Sequence, residues 1–152
     1  MIFHPSRLLS KSCNCRNECS LDGNCLEKNI IYQATVREAI TKKEETYIGR
    51  TATSFKERYN NHKSSFKNRH LINGCELGKH IWKLKDQNIE VESIKWKILG
   101  RSKPFSPVSN VCNLCVKEKY FILYKPELGS LNKRTELTAG CRHKTKQLLV
   151  KN

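Results

Sequence analysis

Six residues of this chain could together do chemistry on a phosphodiester: Tyr32, Tyr47, Arg58, His62, Glu118 and Asn132. Arg58 and His62 stand four apart in a segment of helical pattern, about 40° apart in projection, so they share a face. Phosphodiester hydrolysis asks for such a set. One group must activate or orient the nucleophile, a cation must meet the charge that develops on the phosphoryl oxygens, and a carboxylate must hold a divalent metal. Each residue also has a plainer reading. A strand tyrosine packs, an Arg–His pair faces water or binds phosphate, and a lone helical glutamate is a surface charge. The weight lies in the combination and its order along the chain.

Cysteines form a second chemical group. Cys13, Cys15, Cys19 and Cys25 fall within 13 residues, separated by turn formers such as Asn14, Asn17, Asp22, Gly23 and Asn24. In a reducing compartment such clusters bind zinc more often than they form disulfides. Tetrahedral Zn2+ takes four thiolate or imidazole ligands that short loops can supply, and a segment so poor in large apolar residues depends on the metal to fold. Cys112 and Cys115 have knuckle spacing and, with Cys141 and His143, could close a second zinc site; they equally suit small buried residues at a helix start. Cys75 stands alone and reads as a buried thiol.

The elements that must position these groups follow from periodicity. Ile30–Val36 is rich in strand formers, with Tyr32, Ala34 and Val36 on one face, and Thr46–Gly49 reads as a shorter partner strand across a charged loop. Ser54 with Glu57 three residues on has the capping-box pattern, predicting a helix to about Phe66 that buries Phe55, Tyr59 and Phe66. A second helix is expected over Glu76–Lys85, on Leu77, Ile81, Trp82 and Leu84. Residues 90–99 alternate, with Glu92, Ile94, Trp96 and Ile98 on one face, as a third strand. Gly100–Pro107 reads as a loop, and a third helix over 111–124 turns Leu114, Phe121 and Ile122 inward before Pro126 and Gly129 stop it. The order β-β-α-α-β-α gives an α+β class, a small three-stranded antiparallel sheet flanked by helices. The division is a Cys-rich zinc-binding segment over 1–28, the main domain over 29–137, and a basic tail over 138–152 with the Cys/His pair.

Composition narrows the partners. Twenty-nine Lys and Arg against 14 Asp and Glu in 152 residues leave a net charge of +15, which points to a polyanion, most often nucleic acid. Lys56, Lys63, Lys67 and Arg69 are the candidate phosphate contacts. No apolar run approaches the ~20 residues of a membrane span. The opening stretch lacks the pattern of a secretory leader, so nucleus or cytoplasm is the expected compartment.

With those residues in place, Ile30–Asn132, about two thirds of the chain, resembles the GIY-YIG nuclease family. Tyr47-Ile48-Gly49 matches the second tripeptide, and Ile30-Ile31-Tyr32 matches the first except that Ile30 replaces glycine. Arg58, His62, Glu118 and Asn132 fall where that family's functional residues belong. The surrounding Cys cluster, His80-Ile81-Trp82-Lys83-Leu84-Lys85, Cys112-Asn113-Leu114-Cys115, Leu131-Asn132-Lys133-Arg134 and Cys141-Arg142-His143 look most like the endonuclease module of Penelope-like retroelements. The resemblance implies a DNA endonuclease, minimally a nickase, whose nick supplies a primer end, with a reverse transcriptase domain or subunit as partner. It implies Mg2+ or Mn2+ on Glu118, Tyr32 as base with Tyr47 as its positioner, Arg58 on the phosphate, and His62 relaying a proton or holding a tyrosine hydroxyl. Backbone amides near Gly49 could approach phosphate closely. The competing class is a non-catalytic, zinc-stabilised DNA- or RNA-binding module, which needs the charge and the cysteines but not Tyr32, Arg58 and Glu118 together.

Overall fold

Ile30 to Glu38 form a nine-residue strand, β1, whose first five residues are all buried. Such a run, buried on both faces, belongs in the middle of a sheet covered on both sides. The computed structural model, which describes residues 13–15, 18–72, 74–104, 108 and 112–133, places it there. The sheet has the order β2-β1-β3, with β2 over Glu44–Thr51 and β3 over Val91–Arg101, both antiparallel to β1. Three helices complete an α+β fold: α1 over Phe55–Lys67, α2 over Glu76–Asp86 and α3 over Asn113–Tyr124. Short 3-10 turns occupy Arg69–Leu71 and Pro126–Leu128.

Alternation along β1 sorts the core. Ile30, Tyr32, Ala34 and Val36 pack with Tyr47, Phe55, Leu77, Ile81 and Leu84, which puts α1 and α2 on that face. Ile31 meets Ile48, Leu114, Cys115 and Ile122, so α3 covers the other face. Burying Ile31 and Ile48 completely contributes about 1.5–3 kcal/mol each. Phe121 packs half-buried beside them. Leu21 and Cys25, from the Cys-rich segment, belong to the same core as Ile30. Among the described residues no helix is long and apolar enough to cross a membrane.

Three expectations shift. β2 runs from Glu44 to Thr51, beyond Thr46–Gly49 at both ends, because it is an outer strand whose charged residues can face water. β3 continues through Gly100 and Arg101, which pair with Ile31 and Ile30, so the loop expected from Gly100 begins later. Glu92 does not join the face of Ile94, Trp96 and Ile98. A register shift at Glu38 takes it out of the ladder, and its carboxylate pairs with Lys42 at 2.5 Å and Arg37 at 3.5 Å. Ser54 caps α1 as expected, accepting from the Glu57 backbone N–H at 3.3 Å.

Candidate active site

The residue at the centre, Tyr32, has no accessible surface. It stands opposite Gly49 in the β1–β2 ladder, and a Cβ on Gly49 would lie 2.4 Å from the Tyr32 Cζ and hydroxyl. The glycine of the second tripeptide is therefore the floor on which the tyrosine of the first one lies. Ile30, two residues before Tyr32, is fully buried in the core.

From α1, Arg58 and His62 reach the same hydroxyl. The Arg58 Nε donates to the Tyr32 oxygen at 3.2 Å, and His62 Nε2 is 2.7 Å from it. Arginine only donates, so the buried Tyr32 proton is directed to His62 Nε2, and the imidazole carries its own proton on Nδ1. That nitrogen faces Cys75 Sγ at 4.0 Å, and the thiol donates to the Tyr47 hydroxyl at 3.7 Å. A chain of polar contacts thus joins the two tyrosines through His62 and Cys75. Burial, aided by the Arg58 charge, lowers the His62 pKa to about 3, so the imidazole is neutral at physiological pH. Burial lifts the Tyr32 hydroxyl to about 12 against the pull of Arg58, and lifts Tyr47 well above the ordinary phenol value. Burial also works against the Arg58 charge, but the adjacent Tyr32 oxygen outweighs it and the guanidinium stays charged.

Glu118 is placed differently. Arg50 alternates with Gly49 along β2 and so leaves the strand on the Ile48 side, under α3, where it pairs with the buried Glu118 carboxylate. Three of the six expected residues thus meet at one hydroxyl and Tyr47 joins them through Cys75, while Glu118 lies across the sheet; its charge is still felt at the Tyr32 hydroxyl. Glu118 can offer the single carboxylate that Mg2+ or Mn2+ accepts alongside waters and phosphate oxygens. Asn132 has a structural position. Its Oδ1 accepts from the Ile48 N–H at 2.7 Å and its Nδ2 donates to the Ile48 carbonyl at 2.9 Å, standing in for the next strand of the sheet. Leu131 continues this by donating to the Thr46 carbonyl at 2.8 Å.

The four N-terminal cysteines form one cluster, their sulfurs all within 4.8 Å of one another, that could hold a metal ion. The Cys15–Cys25 separation of 3.7 Å matches the ~3.8 Å edge of a tetrahedron built on Zn–S bonds of about 2.3 Å. Burial opposes ionisation of Cys19, yet N–H groups of Leu21, Gly23 and Cys25 aimed at its sulfur bring it down to about 7. Burial and the neighbouring thiols push Cys25 up. The loop also finishes α1: the Phe55 and Lys56 N–H groups donate to Glu27 O at 2.9 Å and Cys25 O at 2.6 Å. Cys112 and Cys115 open α3 and are buried, while Cys141 and His143 lie outside the described residues, as does the basic tail.

No protein-family model, no curated protein and no solved structure matches this chain. The site therefore rests on its own geometry. Lys56, Lys63 and Lys67 lie on the side of α1 away from Arg58 and His62, seven and four residues apart. Arg69 is engaged elsewhere, paired with Asp86 at 2.5 Å and stacked 4.8 Å over the Trp82 ring. Two residues of the site carried no sequence signal of their own. Arg50 directly follows the tripeptide, but its partner is 68 positions away. Cys75, expected as an isolated buried thiol, is half-buried and occupies the N-cap position of α2 without capping it, its side chain turned to Tyr47 and His62 instead.

Proposed function

We propose that this chain is a metal-dependent endonuclease that nicks DNA. The observation that carries the reading is the convergence of Arg58 and His62 on the Tyr32 hydroxyl, with Tyr47 joined to it and the Arg50–Glu118 pair on the opposite face of the same strand edge. Among the described residues, 130–132 cover the outer edge of β2 from Thr46 to Ile48, and the edge by Gly49 and Arg50 is where groups on the two faces would meet a phosphate. There Arg58 and Arg50 supply fixed positive charge to the phosphoryl oxygens. A divalent ion held by Glu118 would stabilise charge on the scissile phosphate and leaving oxygen. The tyrosine roles exchange relative to the expectation from sequence. Tyr32, wholly buried, positions Arg58 and His62; Tyr47, with 8% of its surface accessible, is the one that orients the attacking water. Zn2+ in the four-cysteine cluster clamps the start of α1 and thereby Arg58. The primer-supplying role and a reverse transcriptase partner extend this proposal through the resemblance to Penelope-like modules.

The ion pair of Arg50 with Glu118, on the far side of the sheet from the tyrosines, favours a second reading in which that carboxylate is structural and the chain binds DNA or RNA without cutting. One experiment separates them: supercoiled plasmid with Mg2+, alongside Glu118→Ala and a chelator control. Open circles from the parent chain alone support the nickase. Retarded but uncut plasmid, with Glu118→Ala destabilised, supports the binding module.

A further inference from the structure

On the opposite side of α1 from the Arg58–His62 face, the Cys-rich loop and the helix enclose a groove of about 580 Å³, lined by Lys56, Tyr59, Asn60 and Lys63 on the helix side. A shallower pocket of about 330 Å³ shares Tyr59 and Ser20 with it and continues to Trp96 and Lys95 at the outer strand β3. The two make one trough whose floor is aromatic. Tyr59 and Trp96 are both half-buried, in edge contact at 5.6 Å, and each keeps part of its ring in the trough. Lys63 Nζ hangs 5.3 Å from the Tyr59 ring. Lys56, Lys63 and Lys95 form none of the ion pairs found among the described residues, in contrast to Arg69, Lys79 and Arg101. Among the described lining residues, the acidic ones, Glu18 and Asp22, lie on the Cys-loop wall and the lysines lie on α1 and β3.

We infer that this trough is a binding site for single-stranded nucleic acid, adjoining the proposed cutting centre across Trp96. Aromatic floor and lysine wall suit a strand whose phosphates follow the lysines while its bases turn onto Tyr59 and Trp96. A duplex, with its bases stacked inside, has no use for the aromatic floor. The inference deepens the proposed nucleic-acid function by naming where a single strand lies, and it rests on that reading only for its biological purpose. Trp96 also explains how the trough is held, because it packs against His62 at 5.4 Å and Tyr32 at 6.0 Å on its inner side.

The test uses the two indole N–H groups as reporters in a 1H–15N spectrum of the full chain. Trp82, whose Nε1 donates to the Ser65 carbonyl at 2.7 Å away from the trough, is the internal control, and Trp82→Phe assigns the signals. Titration with an eight-nucleotide oligothymidylate is expected to shift the Trp96 signal and leave that of Trp82 in place. Lys63→Glu with Lys95→Glu, both exposed and outside the core, should weaken binding by about tenfold or more and flatten its salt dependence by roughly 0.7 per lysine. An unmoved Trp96 signal with bound oligonucleotide, an equal shift with a short duplex, or an unaltered affinity in the double variant, its fold checked by circular dichroism, overturns the inference. Plasmid cutting without a Trp96 response would sink this site and leave the nuclease reading standing. A Trp96 response without cutting would do the reverse.

Discussion

Gly49→Ala isolates the contact on which the whole centre depends. The added methyl would lie 2.4 Å from both Cζ and the hydroxyl of Tyr32, and 2.8 Å from Cε2, where ordinary contact begins at 3.4 Å. The ring must therefore move by about 1 Å, enough to break the 2.7 Å contact with His62 and the 3.2 Å bond from Arg58. Overpacking of this kind costs about 1–3 kcal/mol, and losing a hydrogen bond to a charged group costs about 1.5–3 kcal/mol. Together they amount to roughly 2.5–6 kcal/mol, or a fall in Tm of roughly 8–24 °C at roughly 3–4 °C per kcal/mol. Circular dichroism melts give the first readout and plasmid nicking the second, with nicking expected to fall more than the population of folded protein explains. A double-mutant cycle with Tyr32→Phe sharpens it. In the Tyr32→Phe background the hydrogen bonds are already absent, so the alanine should cost about 1.5–3 kcal/mol less than in the parent. If Gly49→Ala melts within about 1 kcal/mol of the parent, or if the two changes are additive, Tyr32 does not lie across Gly49 and the argument for the centre fails.

Asn132→Ala should destabilise the chain by about 2–3 kcal/mol, because the buried Ile48 N–H and C=O lose both partners; a melt displaced by under about 0.5 kcal/mol would restore a purely catalytic role for Asn132. His62 gives a pH signature. Its folded pKa, about 3, lies below the ordinary 6.5, so the unfolded chain binds the proton that the fold excludes. Stability is complete above about pH 6.5 and declines as pH falls toward 3, by up to about 1.4 kcal/mol per unit; His62→Gln should remove that part of the slope, and an unchanged slope in denaturant titrations would contradict a buried neutral imidazole. Elemental analysis should find zinc bound, and Cys13→Ser or Cys25→Ser should release about one ion per chain. With the ion goes the anchoring of the Phe55 and Lys56 N–H groups, so the first turn of α1 should lose hydrogen-exchange protection; retained protection after zinc loss would refute the clamp.

Much of this is legible in the sequence wherever the determinant is local. The stretch of strand formers from Ile30, the Ser54–Glu57 cap and the four-residue spacing of Arg58 and His62 each act within one element, and each is found where the pattern puts it. What escapes is set by alternation meeting tertiary pairing. Glu118 and Arg50 are each ordinary on their own elements, and only the packing of α3 against the underside of β2 brings them together. Asn132 enters the candidate site through the resemblance alone, and its structural partner is not visible in sequence. Its partner is backbone, and backbone leaves no mark on residue identity. The difference in burial between Tyr32 and Tyr47 has the same origin: both lie on the same face of neighbouring strands, and the packing of α1 leaves Tyr32 fully sealed.

A single helix carries three duties, and this makes the functions separable by position. The first turn of α1 is held by the cysteine loop, its inner face brings Arg58 and His62 to Tyr32, and its outer face lines the trough with Lys56 and Lys63. On the proposed reading, loss of a metal from the cysteine cluster, acting on the first turn, should weaken strand binding and cutting together. Loss of Glu118 acts from α3 and should stop cutting while leaving the Trp96 response to a single strand intact. Charge reversal at Lys63 and Lys95 should impair strand binding while the Tyr32–His62–Arg58 contacts, on the other side of the helix, keep their geometry. Three perturbations with three different patterns over two readouts cannot be reproduced by simple loss of folding, which lowers both readouts in proportion whichever residue is changed.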